Sequence, residues 1–245
     1  MKTIHINCDL GEGGDYDKQL MPLISACNIA CGGHAGTVES MQHTVDLAMA
    51  NAVEIGAHPS YPDKNNFGRI SLQMNPKELR RTLVAQILSL KQITEAEGAV
   101  LTHVKPHGAL YNDAYINAEV AQSIIDAVLE FGDELVLYAA EGSVISELAK
   151  GKLKVRYEAF ADRNYNADGT LVSRKETAAV ITQKEQVLDH LFSMISEGKI
   201  TPQKGQKFDT FATTFCVHSD TPNSVEILQY LQRELASRNV EIYKA

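Results

Sequence analysis

The chain has 245 residues, 44% hydrophobic and 22% charged, which supplies enough apolar side chain for a substantial buried core. Its 23 Lys and Arg stand against 31 Asp and Glu, a formal net charge of -8 with no basic cluster, and this excludes a nucleic-acid groove as its main business. No apolar run approaches the length of a bilayer span, and Asp9 and Glu12 interrupt the N-terminus before a signal-like segment is complete, so a cytoplasmic protein without membrane attachment is expected.

In chain order, the first strand is expected at "TIHINCDL" and the second at "ACNIAC", both short apolar runs bounded by Gly-rich or polar segments. A helical pattern follows Thr37, then a strand at "VEIGAH". The clearest helix opens at "NPKELRRTL", with Asn75 as cap, Pro76 in the first helical position and Glu78 in a capping-box position; Leu79, Leu83 and Ile87 form its buried stripe and Gly98 ends it. Strands at "AVLTHVKP", "ELVLYAA", "KVRYEAF" and "TFATTFCVH" then alternate with helices after Asn117, Ser143 and Glu176, and a last helix runs through "TPNSVEILQYLQREL", capped by Thr221 with Pro222 behind it. No repeat or linker divides residues 1–245, so one domain is expected. Strand and helix alternating about seven times give a parallel sheet, and at this length a closed β/α barrel in preference to an open doubly wound sheet.

The four cysteines, Cys8, Cys27, Cys31 and Cys216, form no metal-binding or redox spacing and read as small buried hydrophobes. Polar side chains behave differently, because they gather where the strands end. The first strand is followed by Asp9 and Glu12, the second by Asn28 and His34, the third by His58. In "HVKPHGALYN" a period of two sends His103, Lys105 and His107 to one face. Glu141, then Glu158 with Asp162 and Arg163, and finally His218 and Asp220 complete the series. In a parallel β/α architecture these ends converge on one rim, where active sites form. Taken singly, His103 reads equally well as a core histidine, Asp220 as a turn residue and Glu141 as a first-turn acid, whereas His5 and His43 read as structural or solvent-facing.

The segments "NCDLGEG", "NIACGGHAG", "IGAHPSYPD", "FGR", "VKPHGALYN", "EAFADRNYNADGTLVSR" and "CVHSDTP" together resemble, in order and spacing, the LamB/YcsF family, over Asn7 to Pro222. The resemblance implies a single distorted β/α barrel similar to the polysaccharide-deacetylase-like hydrolases. It also implies the ATP-dependent opening of 5-oxoproline to glutamate as one component of a multi-subunit 5-oxoprolinase, with partner subunits B and C. The chain departs from the family pattern in the short loop after Glu12, at Gly33 (an aromatic), Thr37–Val38 (Asp-Pro), Ile70 (a second Arg) and Ser219 (a Gly). No phosphate loop is present, so ATP is expected on a partner.

Within that reading Asp9 is the expected general base with Glu12 assisting, and His58 and His107 donate to the oxyanion or leaving nitrogen. Lys105 and Arg163 pair with a carboxylate or phosphate, while Asp162 orients Arg163 or a histidine. His34, His103, His218 and Asp220 complete the substrate-binding set. Two rivals stay open. One is a metal-dependent amide or carbohydrate N-deacetylase in which Asp9, His34 and His58 hold a divalent ion; the other is a non-catalytic carbohydrate- or amide-binding subunit.

Overall fold

In the computed structural model, which describes residues 2–245, the strand expected over 3–10 divides at His5 into β1 (Lys2–Ile4) and β2 (Ile6–Leu10). A short helix α1 (Asp17–Leu20) leads to β3 (Ala26–Ala30), α2 (Val38–Ala50), β4 (Glu54–His58) and the long α3 (Pro76–Ala96). There follow β5 (Leu101–Val104), α4 (Gly108–Ile116), α5 (Ala118–Leu129), β6 (Val136–Ala140), α6 (Val144–Ala149) and β7 (Lys154–Phe160). The chain ends with α7 (Lys184–Glu197), a small hairpin of β8 (Lys199–Ile200) and β9 (Phe208–Asp209), β10 (Thr214–Cys216), α8 (Ser224–Ser237) and β11 (Val240–Ile242).

Strands β2, β3, β4, β5, β6, β7 and β10 close into a barrel in that order, with β10 pairing back onto β2, and every pair is parallel. Closure follows from burial on both faces: β2 and β3 are buried at all positions, as parallel strands covered by crossover helices must be. On β2, Cys8 and Leu10 enter the apolar layer, whereas Asn7 and Asp9, on the other side of the pleat, bond across the barrel interior. The interior of this barrel is therefore polar. β1 pairs with β11 outside the barrel. Among the described residues no helix is long and apolar enough to cross a membrane.

Several element boundaries differ from the sequence expectation for local reasons. The Asn75 side chain caps α3 by accepting from the Lys77 amide, with no reciprocal bond from Glu78; the reciprocal capping box lies instead at Thr37 and Ser40 of α2. α4 was hidden by the Pro106–Gly108 punctuation just before it. α7 starts at Lys184, well beyond Glu176, because residues 161–183 form an irregular excursion over the barrel mouth. α8 starts at Ser224, since Asn223 takes a left-handed conformation (φ 63°) and the Thr221 hydroxyl donates to Asp162 at 2.6 Å instead of capping.

Candidate functional site

Lys105 lies just past β5, and its amide still bonds to the Ala57 carbonyl, so the side chain is delivered into the barrel with strand precision. Its ammonium lies 2.9 Å from Asp9 Oδ1, 2.9 Å from Glu158 Oε1, 3.2 Å from Asn7 Oδ1 and 3.1 Å from Cys216 Sγ. Three N–H donors are fully taken up by these partners. Burial would pull its pKa down, but Asp9, Cys216 and Glu158 outweigh that and hold it well above the usual lysine value. Asp9 mirrors this: burial pushes its carboxyl up, and His58, Lys105 and His218 together bring it well below the usual carboxylate range. Arg163 is likewise spent internally, donating from Nε to the Ala179 carbonyl at 3.1 Å and from Nη2 to the Val172 carbonyl at 2.7 Å. Both cations expected to hold substrate thus have protein partners.

His103 sits below this layer. Its ring stacks on Tyr138 at 4.2 Å, and Nε2 lies 2.8 Å from Asn28 Oδ1. Burial keeps it neutral, so Nε2–H donates, and the Asn28 amide is oriented to donate to Asp9 Oδ1 at 2.7 Å. His103 therefore acts on Asp9 through Asn28.

Above Lys105 three imidazoles and a carboxylate meet. His58 Nδ1 lies 2.7 Å from the Lys105 carbonyl and His107 Nε2 lies 2.9 Å from the Phe67 carbonyl. A carbonyl only accepts, so each ring spends its N–H there, and the donor role expected of these two histidines is taken up by backbone. The inward nitrogens, His58 Nε2 and His107 Nδ1, are then acceptors only 3.0 Å apart. Glu12 Oε1 lies 2.8 Å from His34 Nε2, 3.3 Å from His107 Nδ1 and 3.9 Å from His58 Nε2. His34 stacks on His107 at 3.6 Å, and its Nδ1 is buried without a partner. The turn that places the Phe67 carbonyl needs Gly68 (φ 63°), where a Cβ would lie 2.9 Å from the His107 ring.

One ligand atom from each of Glu12, His34, His58 and His107 falls within 4.8 Å of all the others. Two imidazoles, His58 and His107, fixed in the correct tautomer by carbonyls, together with His34 and the Glu12 carboxylate, suit a divalent ion of the zinc or manganese type. Of the expected trio, His34 and His58 fall in this group with Glu12 and His107, while Asp9 falls in a second group with Cys216 and His218. Asp9 Oδ2 lies 3.3 Å from His58 Nε2, and its other oxygen accepts from Lys105 and Asn28.

Asp162 and His218 form a separate pair. Asp162 is fully buried, its oxygens lie 2.9 and 3.1 Å from His218 Nδ1, and its Oδ2 accepts from the His218 amide at 2.8 Å and from Thr221. Burial pushes this carboxyl up, but His218 and the Thr221 hydroxyl bring it down to about 2. The imidazole is thereby held with Nδ1–H toward Asp162 and Nε2 presented as a base. Phe160 lies parallel to the ring at 5.4 Å.

Asp9, Glu12, His58, Lys105, His107 and His218 all border one cavity of about 710 Å³, within the range of small-molecule sites. Asp220 lies at its exposed end, paired with Arg69 and Arg174. Glu141 stands apart and accepts from the Phe211 amide. All four cysteines are free and buried. Arg69, Arg174, Cys216 beside Lys105 and Tyr111 at the cavity wall all lie within the quoted motifs, Arg69 closing "FGR" and Arg174 closing "EAFADRNYNADGTLVSR", but sequence reasoning gave none of them a role. At Gly33 a Cβ would lie 2.3 Å from Gln86 Oε1 and 2.4 Å from Ser60 Oγ, so a larger residue there requires those side chains to move.

These features define a parallel β/α barrel whose strand ends carry a carboxylate–imidazole site. The chain belongs to the LamB/YcsF family, whose pattern it matches over residues 4–245. It is 41% identical, over 98% of this chain and 96% of the relative, to the A-subunit of 5-oxoprolinase from Pyrococcus horikoshii. The crystal structure of the lactam utilization protein of Thermus thermophilus superposes with a TM-score of 0.92 at 36% identity, covering 100% of both chains. A family 4 carbohydrate esterase from Streptomyces lividans shares the fold alone, with a TM-score of 0.51 at 9% identity over 98% of this chain and 91% of that one.

Proposed function

We propose that this chain, a single-domain cytoplasmic component of a larger complex, hydrolyses the amide of 5-oxoproline to give glutamate, together with partner subunits that bind and use ATP. The observation that carries the reading is the Asp162–His218 pair beside the cavity, a buried carboxylate holding an imidazole with its basic nitrogen free. The relatives, a 5-oxoprolinase component and a lactam utilization protein by name, supply the substrate class.

Hydrolysis adds a water oxygen to the lactam carbonyl carbon and breaks the ring C–N bond. His218 takes the proton from the attacking water and returns it to the leaving nitrogen, while Asp162 balances the imidazolium formed between the two steps. Asp9, held ionised by His58 and Lys105, is too weak a base to compete with an imidazole; it keeps Lys105 in place, and the ammonium offsets the charge that develops on the carbonyl oxygen. ATP coupling offsets the resonance stability of an unstrained five-membered amide.

A divalent ion held by Glu12, His34, His58 and His107 would polarise the amide carbonyl as a Lewis acid. This cluster favours one second reading, an amide hydrolase acting without ATP. The deciding experiment measures glutamate formed from 5-oxoproline by the purified chain, with and without its partner proteins and ATP. Glutamate that requires chain, partners and ATP together is expected. No glutamate from the full set, or acetate released from N-acetylated sugars by the chain alone, would overturn the proposal.

A further inference from the structure

Every cation in the inner cavity is already committed. Lys105 is enclosed by Asp9 and Glu158 and Arg163 by two backbone carbonyls, while the carboxylates of Asp9 and Glu12 border this end of the cavity. An acid group pointing inward finds no uncommitted side-chain cation there. The outer end has the opposite balance, with Arg69, Arg174 and Lys175 bordering the cavity against Asp113 and Asp220, and Asp113 is engaged by Tyr61 and Ser71.

We infer that Arg69 and Arg174 form a carboxylate-binding fork at the cavity mouth that selects a lactam bearing an acid group; the inference rests on the lactam reading above. The two guanidiniums already converge on one carboxylate. Arg69 Nη2 lies 2.5 Å from Asp220 Oδ2, and Arg174 Nη1 lies 3.2 Å from the same oxygen, with its other contacts to Asp220 at 3.4 and 3.5 Å. Each guanidinium has five N–H donors, so one shared aspartate leaves donors and positive charge in surplus.

Both arginines are tied to groups that shape the inner site. Arg69 follows the Phe67–Gly68 turn whose carbonyl receives His107, and its guanidinium stands 4.9 Å from the Phe67 ring centre. Arg174 follows Val172, whose carbonyl is held by buried Arg163. The turn and loop that order the catalytic groups thus also fix where the fork stands. With side-chain exposures of 41% and 29%, the two cations are partly dehydrated yet reachable by a ligand.

Calorimetric titration of the purified chain with 5-oxoproline and with 2-pyrrolidone, the same ring without its carboxylate, tests this. The wild-type chain is expected to prefer 5-oxoproline by at least about tenfold, less so as salt rises. Arg69→Gln and Arg174→Gln should each remove most of that preference while leaving 2-pyrrolidone binding and melting temperature unchanged. A preference that survives in both variants, or is absent in the wild type, overturns the inference and leaves the lactam reading standing. Variants that lose both ligands also overturn it, because the arginines then shape the mouth and do not select. Failure of the wild type to bind either ring, alone or with its partner proteins, overturns the lactam reading itself.

Discussion

His58 Nε2 and His107 Nδ1 face each other at 3.0 Å, and each ring has already given its N–H to a backbone carbonyl. Two lone pairs at that distance repel, and Asp9 and Glu12 add carboxylate oxygens at 3.3 Å to the same space. A proton on one ring or a metal cation between the rings satisfies the arrangement, and the carboxylate of Glu12 together with His34 beside them favours the metal. The purified chain is therefore expected to retain close to one equivalent of a divalent ion after dialysis, and His107→Gln should weaken its hold by at least about tenfold. Elemental analysis and chelator titration check this; a metal-free wild-type chain that chelators neither destabilise nor inactivate would refute it.

Lys105 is expected to be a structural cation before it is anything else. Lys105→Met leaves Asp9 and Glu158 as buried carboxylates without a counter-charge, an imbalance that costs roughly 3–5 kcal/mol. In a chain of this size that is a melting temperature lower by roughly 10 °C. Adding Glu158→Gln should recover part of the loss, since one of the stranded charges goes with it. A single variant melting within a degree or so of wild type would show that the triad contributes nothing.

The strand ends were legible because parallel strands buried on both faces leave short apolar runs, and the first polar residue beyond each run must lie at the barrel mouth. Asp9, His58 and His107 were placed by that logic alone. Their partners were not, because what Lys105 meets is decided by Glu158 and Cys216, which arrive from β7 and β10, and no local pattern records a register between distant strands. Arg163 misled for a similar reason: an arginine next to a rim aspartate looks available, yet its fork closes on carbonyls of its own loop. The ring of His5, Glu54 and Arg156 at the opposite end of the barrel was equally invisible, since each member alone reads as an ordinary strand-end polar residue.

Asp162 gives the chain a defined acid sensitivity. Its carboxyl falls from an ordinary 3.8 to about 2 in the folded protein, so its stabilising contribution is complete above the unfolded value and is lost as pH drops through about 2. A shift of that size corresponds to roughly 2 kcal/mol in a fully buried group. Asp162→Asn should remove about that much stability at neutral pH and flatten the decline of stability below pH 4. If His218 carries the proton, the same variant should also displace the pH–rate profile for glutamate formation, whereas a purely structural carboxylate would lower the rate without moving the profile.

Gly56 tests whether His103 positions Asp9 through Asn28. A Cβ built on Gly56 lies 2.1 Å from His103 Nε2, 2.2 Å from Cδ2 and 2.4 Å from Cε1, closer than any real contact. Gly56→Ala must therefore push the ring off Tyr138, on which it stacks, and away from Asn28 Oδ1. Overpacking of this kind costs about 1–3 kcal/mol, and the freed Asn28 amide can then rotate its donor away from Asp9. Gly56→Ala should thus lower both melting temperature and turnover. Combining it with His103→Ala removes the clash but not the loss of the Asn28 partner, so stability should partly return while turnover stays low. Recovery of both together would reduce His103 to a space-filler, and a Gly56→Ala variant indistinguishable from wild type would show that the ring moves freely and positions nothing.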